Sequence, residues 1–178
     1  MNHRIVFTGG PGAGKTAVIT YLKHLGYQTA TEVGRQVIQK QVEQQGTALP
    51  WMDKVAFRDE MVLAEMNQYA ADSHAETTFF DRSVIDSYGY SQLEGIPVSA
   101  QLLTSCHELI YDQNVFIFPP WESIYNKDAE RKQDFHTAVA TYREMVKAYQ
   151  KFGYELIEVP KCSVQERAAF ILERISRA

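Results

Sequence analysis

A chain of 178 residues with 45% hydrophobic residues and a net charge of −4 has enough apolar material for one globular core. It has no excess of basic residues to hold a nucleic acid or an anionic membrane surface. It also lacks the run of about eighteen apolar residues that a membrane-spanning helix needs.

A β-branched and aromatic run over residues 4–8 predicts the first strand. It starts so early that no signal peptide is expected, and a cytoplasmic setting follows from that. Directly after it stands Gly9-Gly10-Pro11-Gly12-Ala13-Gly14-Lys15-Thr16, which fits the phosphate-binding pattern G-x-x-x-x-G-K-[ST]. Glycines allow the sharp turn and a close approach of backbone to phosphate, and the turn aims successive N–H groups inward. A helix over 16–25, with Val18, Ile19, Leu22 and Leu25 on one face, would present its positive end to the same point. Strand, loop and helix form the context the motif requires. The spacing therefore assigns nucleotide binding to Gly10, Pro11, Gly12, Ala13, Gly14, Lys15, Thr16 and Ala17. Lys15 would reach the β- and γ-phosphates, and the Thr16 hydroxyl would ligate Mg²⁺.

Gly26 stops the first helix, and residues 27–31 read as a short second strand ending at Glu32. Residues 34–45 are predicted helical, with Val37, Ile38 and Val42 as the apolar stripe. Asp53 is placed to cap a long helix to about residue 73, with Val55, Val62, Met66 and Tyr69 inward. Residues 77–80 form a third strand with Asp81 at its carboxyl end. Ser83 and Asp86 make a capping-box start for the next helix. A short helix over 99–108 and a strand over 115–118 follow, the latter halted by Pro119-Pro120. Residues 121–132 are polar and irregular. A helix over 134–152, with Val139, Tyr142, Val146 and Tyr149 on one face, ends at Gly153. Residues 154–159 are the fifth strand. A Ser163–Glu166 capping box opens a last helix with Ala168, Ile171, Leu172 and Ile175 inward. Strands alternating with helices predict an α/β fold, a mostly parallel sheet with helices on both faces. The length predicts a single domain over 1–178.

In such sheets ligands sit beyond the carboxyl ends of the strands. Asp81, after a β-forming run, is a candidate for holding Mg²⁺ or taking a proton from an acceptor hydroxyl; the competing reading is a helix-capping acid. Arg82 is a candidate for gripping substrate or phosphate oxygens in bidentate fashion, or a surface ion pair. Glu32 and Arg35, at the mouth of the second strand, are candidates for contacting the acceptor, Glu32 as its base. Lys127, Arg131 and Lys132 lie where a mobile lid would close over phosphates, within about 119–133. Arg131 is the best of them, because a planar guanidinium suits phosphoryl oxygens. Cys106 and Cys162 lack metal-ligand or redox spacing, and no histidine is paired at ligand spacing.

Together the P-loop, Thr31-Glu32-Val33-Gly34-Arg35, Phe80-Asp81-Arg82-Ser83 with Asp86-Ser87, Pro119-Pro120-Trp121-Glu122, Asp128-Ala129-Glu130-Arg131 and Gly153-Tyr154-Glu155-Leu156 resemble a known family. It is the group of small P-loop proteins described by an "AAA domain" label. That group is similar to the ribosylnicotinamide kinase domain of the bacterial NAD-biosynthesis regulator NadR and to animal GTP-binding proteins linked to TRPL channel trafficking. The resemblance implies a three-layer P-loop NTPase fold with strand order 2-3-1-4-5 and a kinase-like lid containing Arg131. It also implies ATP or GTP with Mg²⁺ at residues 12–16, Asp81 near the metal, and a base-contacting loop near 160–163. The leading expectation is a kinase passing the ATP γ-phosphoryl group to a small, nucleoside-like acceptor. The alternative is an ATPase, or a GTP-binding module without such an acceptor. A guanine-reading N-K-x-D is not matched: Asn126-Lys127-Asp128-Ala129 has Ala in the last place.

Overall fold

The computed structural model describes residues 3–73, 75–125 and 135–176. The expected lid cations Lys127, Arg131 and Lys132 lie outside the described residues. The five strands β1 (Arg4–Gly9), β2 (Gln28–Ala30), β3 (Thr78–Asp81), β4 (Asn114–Phe118) and β5 (Glu155–Glu158) form one parallel sheet in the order β2-β3-β1-β4-β5. The helices are α1 (Lys15–His24), α2 (Val33–Glu43), α3 (Lys54–Ala71), α4 (Val84–Leu93), α5 (Ala100–Glu108), α6 (Glu122–Tyr125), α7 (Phe135–Lys151) and α8 (Val164–Ser176).

The period-2 alternation of a strand divides the core into two layers. Ile5, Phe7, Phe79, Phe116 and Phe118 point to one face, where Val18, Ile19 and Leu22 of α1 and Ala168 and Ile171 of α8 cover them. Val6, Phe80 and Val115 point to the other, under Val62 of α3, Val84 and Ile85 of α4, Leu102 of α5 and Tyr149 of α7. Phe7 is the hub of the first layer, with Phe79 and Phe118 ring centroids at 5.4 and 5.2 Å. A third, smaller cluster of Val33, Val37, Phe57 and Met61 joins α2 to α3.

Several expectations shift in phase. Leu25, Val42 and Val55 are exposed, not inward-facing: Leu25 follows the last residue of α1 and Val55 lies in the first turn of α3, where a helix end projects past the core, and Val42 falls out of phase with Val37. On α7 the fully buried positions are Ala138, Met145, Ala148 and Tyr149. Val139, Tyr142 and Val146 are only half-buried, so the inward stripe runs one residue off the one read from periodicity. Small Ala138 and Ala148 fit the close approach of α7, which the larger β-branched residues would block. Residues 122–125 form one helical turn inside a segment expected to be irregular, and bury Tyr125. β2 and β5 are shorter than expected, as edge strands often are. Among the described residues no helix is long and apolar enough to cross a membrane.

Phe7→Ala removes the ring that three other aromatic rings surround. It is expected to cost about 3–5 kcal/mol, read as a lower urea midpoint with an unchanged slope.

Candidate active site

The site begins where β1 ends. Gly9, Gly12 and Gly14 all have positive φ, at 128°, 71° and 84°. A Cβ on Gly9 would collide with the Phe118 carbonyl, and one on Gly12 would lie 2.5 Å from the Tyr125 ring. The loop therefore needs glycine both for its turn and for its packing. Gly14 caps α1 without any side-chain hydrogen bond, and Glu32 stands likewise at the start of α2. By contrast Asp53, Ser83, Ser99 and Ser163 bond the first turns of α3, α4, α5 and α8. Of these six helix starts, the two without a side-chain cap are those that face the site, where N–H groups favour an anion.

Lys15 is buried, and its ammonium donates to the Gly10 carbonyl at 2.9 Å and the Gly9 carbonyl at 3.3 Å. Burial, and then the neighbouring Arg82 charge, lower its pKa from 10.5 to about 8, against the pull of Asp81, Glu32 and Asp86. Thr16 and Ala17 are exposed at the loop's outer face. Asp81 ends β3 and is buried; its Oδ1 has no hydrogen-bond partner among the described residues. Burial pushes its pKa up, while Lys15 and Arg82 pull it down. The orphaned carboxylate oxygen of Asp81 at the end of β3 and the exposed Thr16 hydroxyl in the first turn of α1 are oxygen donors of the kind that Mg²⁺ prefers.

Arg82 does not stand ready for a substrate. Its backbone has φ 74°, and its side chain is spent on protein acceptors. Nε donates to Glu32 Oε1 at 3.1 Å, and Nη1 donates to the Gly9 carbonyl at 3.1 Å and Asp86 Oδ1 at 3.0 Å. Burial opposes its charge, but Glu32, Asp86 and Asp81 more than offset this and raise its pKa. Burial would raise the pKa of Glu32; Arg82, Lys15 and Arg35 outweigh it, so the carboxyl stays below the ordinary value. Arg35 is mostly exposed, with Nε 3.5 Å from Glu32 Oε2.

Two residues that sequence reasoning left out of the site are integral to this arrangement. Asp86, read from the sequence only as a helix-start residue, accepts four donors. Thr8 Oγ1 and Arg82 Nη1 reach one oxygen, and the Ser83 N–H and Tyr149 hydroxyl reach the other. Asp86-Ser87-Tyr88-Gly89 matches the letters of a nucleotide-switch D-x-x-G, but the segment is buried inside α4 and is not a loop. Arg167 of α8 reaches back to the P-loop: Nη1 donates to the Ala13 carbonyl at 3.4 Å and the Gly14 carbonyl at 3.5 Å, and its guanidinium lies over the Trp121 ring. The segment 160–163 follows β5 at the same, carboxyl edge of the sheet.

Beside the loop opens a cavity of about 290 Å³. Pro11 forms one wall. Glu32, Arg35, Arg82 and Asp86 line the near end, and Phe57, Met61, Glu65, Ser87 and Tyr90 line the rest. Glu65 is a buried carboxyl that accepts from Ser87 Oγ at 2.9 Å; burial raises its pKa from 4.5 to about 8.

The sheet order and the glycine-rich loop define a protein of the P-loop fold, with a cavity beside the loop. A family model described as "AAA domain" matches residues 4–167, and the chain belongs to that family. No curated protein matches the sequence. Among solved structures, deoxyadenosine kinase from M. mycoides, with products dCMP and dCDP bound, superposes with TM-score 0.69 at 14% identity, covering 98% of this chain and 100% of that one. Thymidylate kinase from Candida albicans gives 0.63 at 9%, covering 98% and 91%. Shikimate kinase from Acinetobacter baumannii, in complex with shikimate, gives 0.57 at 16%, covering 98% and 93%. At these identities the likeness is one of fold.

Glu65 holds more protons in the folded chain than in the unfolded one between pH 4.5 and about 8. Its contribution to stability is full below that window and is lost as pH rises through it. Glu65→Gln is expected to flatten this fall, measured as unfolding free energy from pH 5 to 8.

Proposed function

We propose that the protein is a phosphotransferase that moves the γ-phosphoryl group of ATP, or GTP, to the hydroxyl of a small nucleoside-like acceptor. The observation that carries this reading is adjacency. Pro11 belongs to the phosphate loop and is also a wall of the cavity, so a triphosphate tail and a small acceptor would meet there. Phosphoryl transfer is mostly a problem of positioning two substrates and neutralising charge, and two adjoining sites are what it requires. A simple hydrolase has no need of the second.

In this reading the backbone of residues 10–17, through the N–H groups of all but Pro11, and the Lys15 ammonium grip the phosphates. Thr16 and Asp81 hold Mg²⁺, which when bound neutralises charge on the phosphate oxygens. Glu32, ionised and lining the cavity, orients the acceptor hydroxyl and takes its proton. As the acceptor oxygen bonds to phosphorus, the bond to the bridging oxygen breaks and the nucleoside diphosphate leaves. Asp81 does not line the cavity, which favours Glu32 over it as the base. Arg82 acts by holding Glu32 in place, while Arg35 at the rim is the cation left to meet acceptor oxygens. Arg131, in the segment 119–133, is assigned to a closing lid on its place in the sequence alone. A cytoplasmic setting and a single-domain organisation remain part of the same reading.

The test is ATP turnover against a panel of nucleosides and vitamins, with acceptor-dependent ADP release as the expected result. Turnover independent of every acceptor would replace the reading with an ATPase, and strong GTP preference without acceptor dependence with a GTP-binding module. Lys15→Ala is expected to remove calorimetric binding of ATP with magnesium and to lower turnover on the order of 100-fold or more. Unchanged affinity and rate would refute the assignment of the loop.

A further inference from the structure

The cavity differs in character along its length. Near the P-loop it is charged, with Glu32, Arg35, Arg82 and Asp86. Phe57, Met61 and Ile38 make another part of it apolar, and of the polar side chains lining the rest, Glu94, Thr137 and Thr141 aside, three are Glu65 of α3 and Ser87 and Tyr90 of α4. None of the three is assigned a role above. Ser87 gives its proton to Glu65 Oε2, so the pair is oriented. The Tyr90 hydroxyl is buried and without a partner among the described residues, while its ring packs edge-on against Phe57 with centroids 5.8 Å apart. A buried hydroxyl without a partner is destabilising, a cost that a ligand can remove.

The charge count narrows the ligand. The cations lining the cavity are Arg82 and Arg35. Arg82 is committed to Glu32, Asp86 and the Gly9 carbonyl, and Arg35 sits beside Glu32 at the rim. Among the described residues, an acceptor bearing a carboxylate or phosphate would find no guanidinium inside that lacks a carboxylate partner, and Arg35 at the rim is the less committed of the two. The volume of about 290 Å³ is at the low end for small-ligand sites, which span roughly 300–1,000 Å³.

Resting on the transferase reading, the geometry points to Glu65, Ser87 and Tyr90 as the subsite that selects the acceptor: an uncharged molecule whose hydroxyl faces Glu32 and whose far end carries a flat amide-type group, a carboxamide or the lactam edge of a heterocycle. Such a group donates and accepts side by side. A protonated carboxyl offers the complementary pair, and a phenol offers either partner. Glu65 suits this at neutral pH, because burial keeps its proton on; the charged or titratable groups around it are Asp86 and Arg82, Tyr111 and the Cys106 thiol.

The experiment follows acceptor-dependent ADP release at saturating ATP. Inosine and uridine, which carry a lactam, are compared with purine riboside, which has none, and with shikimate, an anion. The wild type is expected to show a KM about 10–100-fold lower for the lactam nucleosides than for purine riboside, and no use of shikimate. Glu65→Leu and Tyr90→Phe should raise the KM for inosine by about tenfold, with kcat and ATP affinity little changed, so that the preference over purine riboside shrinks. Glu65→Gln, which keeps a donor and an acceptor without the charge, should retain the preference. The rise in inosine KM expected of the wild type as pH passes about 8 should be smaller in Glu65→Gln, where the acceptor's own lactam ionisation remains. Lys15 titrates in the same range in both proteins, so the comparison isolates Glu65. If Glu65→Leu fails to bind ATP, and so to fold, Tyr90→Phe and Ser87→Ala carry the test. Lactam preference that survives these substitutions, preference for shikimate, or loss in Glu65→Gln equal to that in Glu65→Leu overturns the subsite while leaving the transferase standing. Absence of any acceptor-dependent turnover overturns both.

Discussion

The candidate site depends on one guanidinium. Arg82 sits in a left-handed backbone conformation that a residue with a side chain adopts at a cost of order 1–3 kcal/mol. The conformation persists because it is over-determined. The Arg82 N–H donates to the Phe7 carbonyl at 2.9 Å, continuing the β1–β3 pairing one residue beyond the strand. The side chain then turns back to bond the start of the P-loop, the start of α2 and the first turn of α4. Three elements distant in sequence meet at one planar cation. The same contacts fix the phosphate loop and the mouth of the cavity, so the two halves of the site cannot move independently without breaking charge-assisted hydrogen bonds.

That arrangement explains which parts of the molecule the sequence makes legible. The P-loop is a local device: its glycines, its lysine and its flanking strand and helix lie within a few residues, so spacing alone specifies it. The alternation of strands and helices likewise leads to the parallel sheet, and the capping residues Asp53, Ser83 and Ser163 mark helix starts that the structure shows. Non-local partnerships are different. Glu32 and Arg82 are 50 residues apart, and Thr8 and Asp86 are 78 apart. Nothing in either neighbourhood announces that these pairs meet. Arg82 looks available for substrate in the sequence and is occupied in the fold. Asp86 looks like half of a capping box, which it is, but its carboxylate also collects three further donors.

One signal for the overlooked residues was present all the same. Phe57, Met61 and Glu65 are spaced four apart on α3, so Glu65 falls in the inward stripe of its helix. Arg167 stands four residues before Ile171 on α8 and is buried with it. A charged residue in phase with an apolar stripe must be paired, neutral or aimed at a ligand, because an isolated buried charge is too costly. Arg58, also inward on α3, is of the paired kind, bonded to Asp59, Ser91 and the Pro97 carbonyl. Arg167 bonds P-loop carbonyls and lies over Trp121. Glu65 has the Ser87 hydroxyl for company and, among the described residues, no ion-pair partner; burial outweighs the more distant Arg82 charge and raises its pKa to about 8.

The sorting of charge across the site completes the argument. On the P-loop side, Lys15 and Arg167 bring cations to a turn whose N–H groups already favour an anion. On the cavity side, the described lining holds the carboxylates Glu32 and Asp86, both bonded to Arg82, and the carboxyl Glu65, which burial keeps protonated. A polyphosphate placed in the cavity would face carboxylates, and a neutral polyol placed on the loop would leave its cations unmatched. The two surfaces therefore discriminate by electrostatics before any shape is considered. Arg82 stands at their boundary, bonded to the Gly9 carbonyl on one side and to Glu32 on the other. A phosphoryl group crossing from loop to cavity would pass close to that cation. Under the transferase reading, that cation would lie between donor and acceptor with its charge already shared between Glu32 and Asp86.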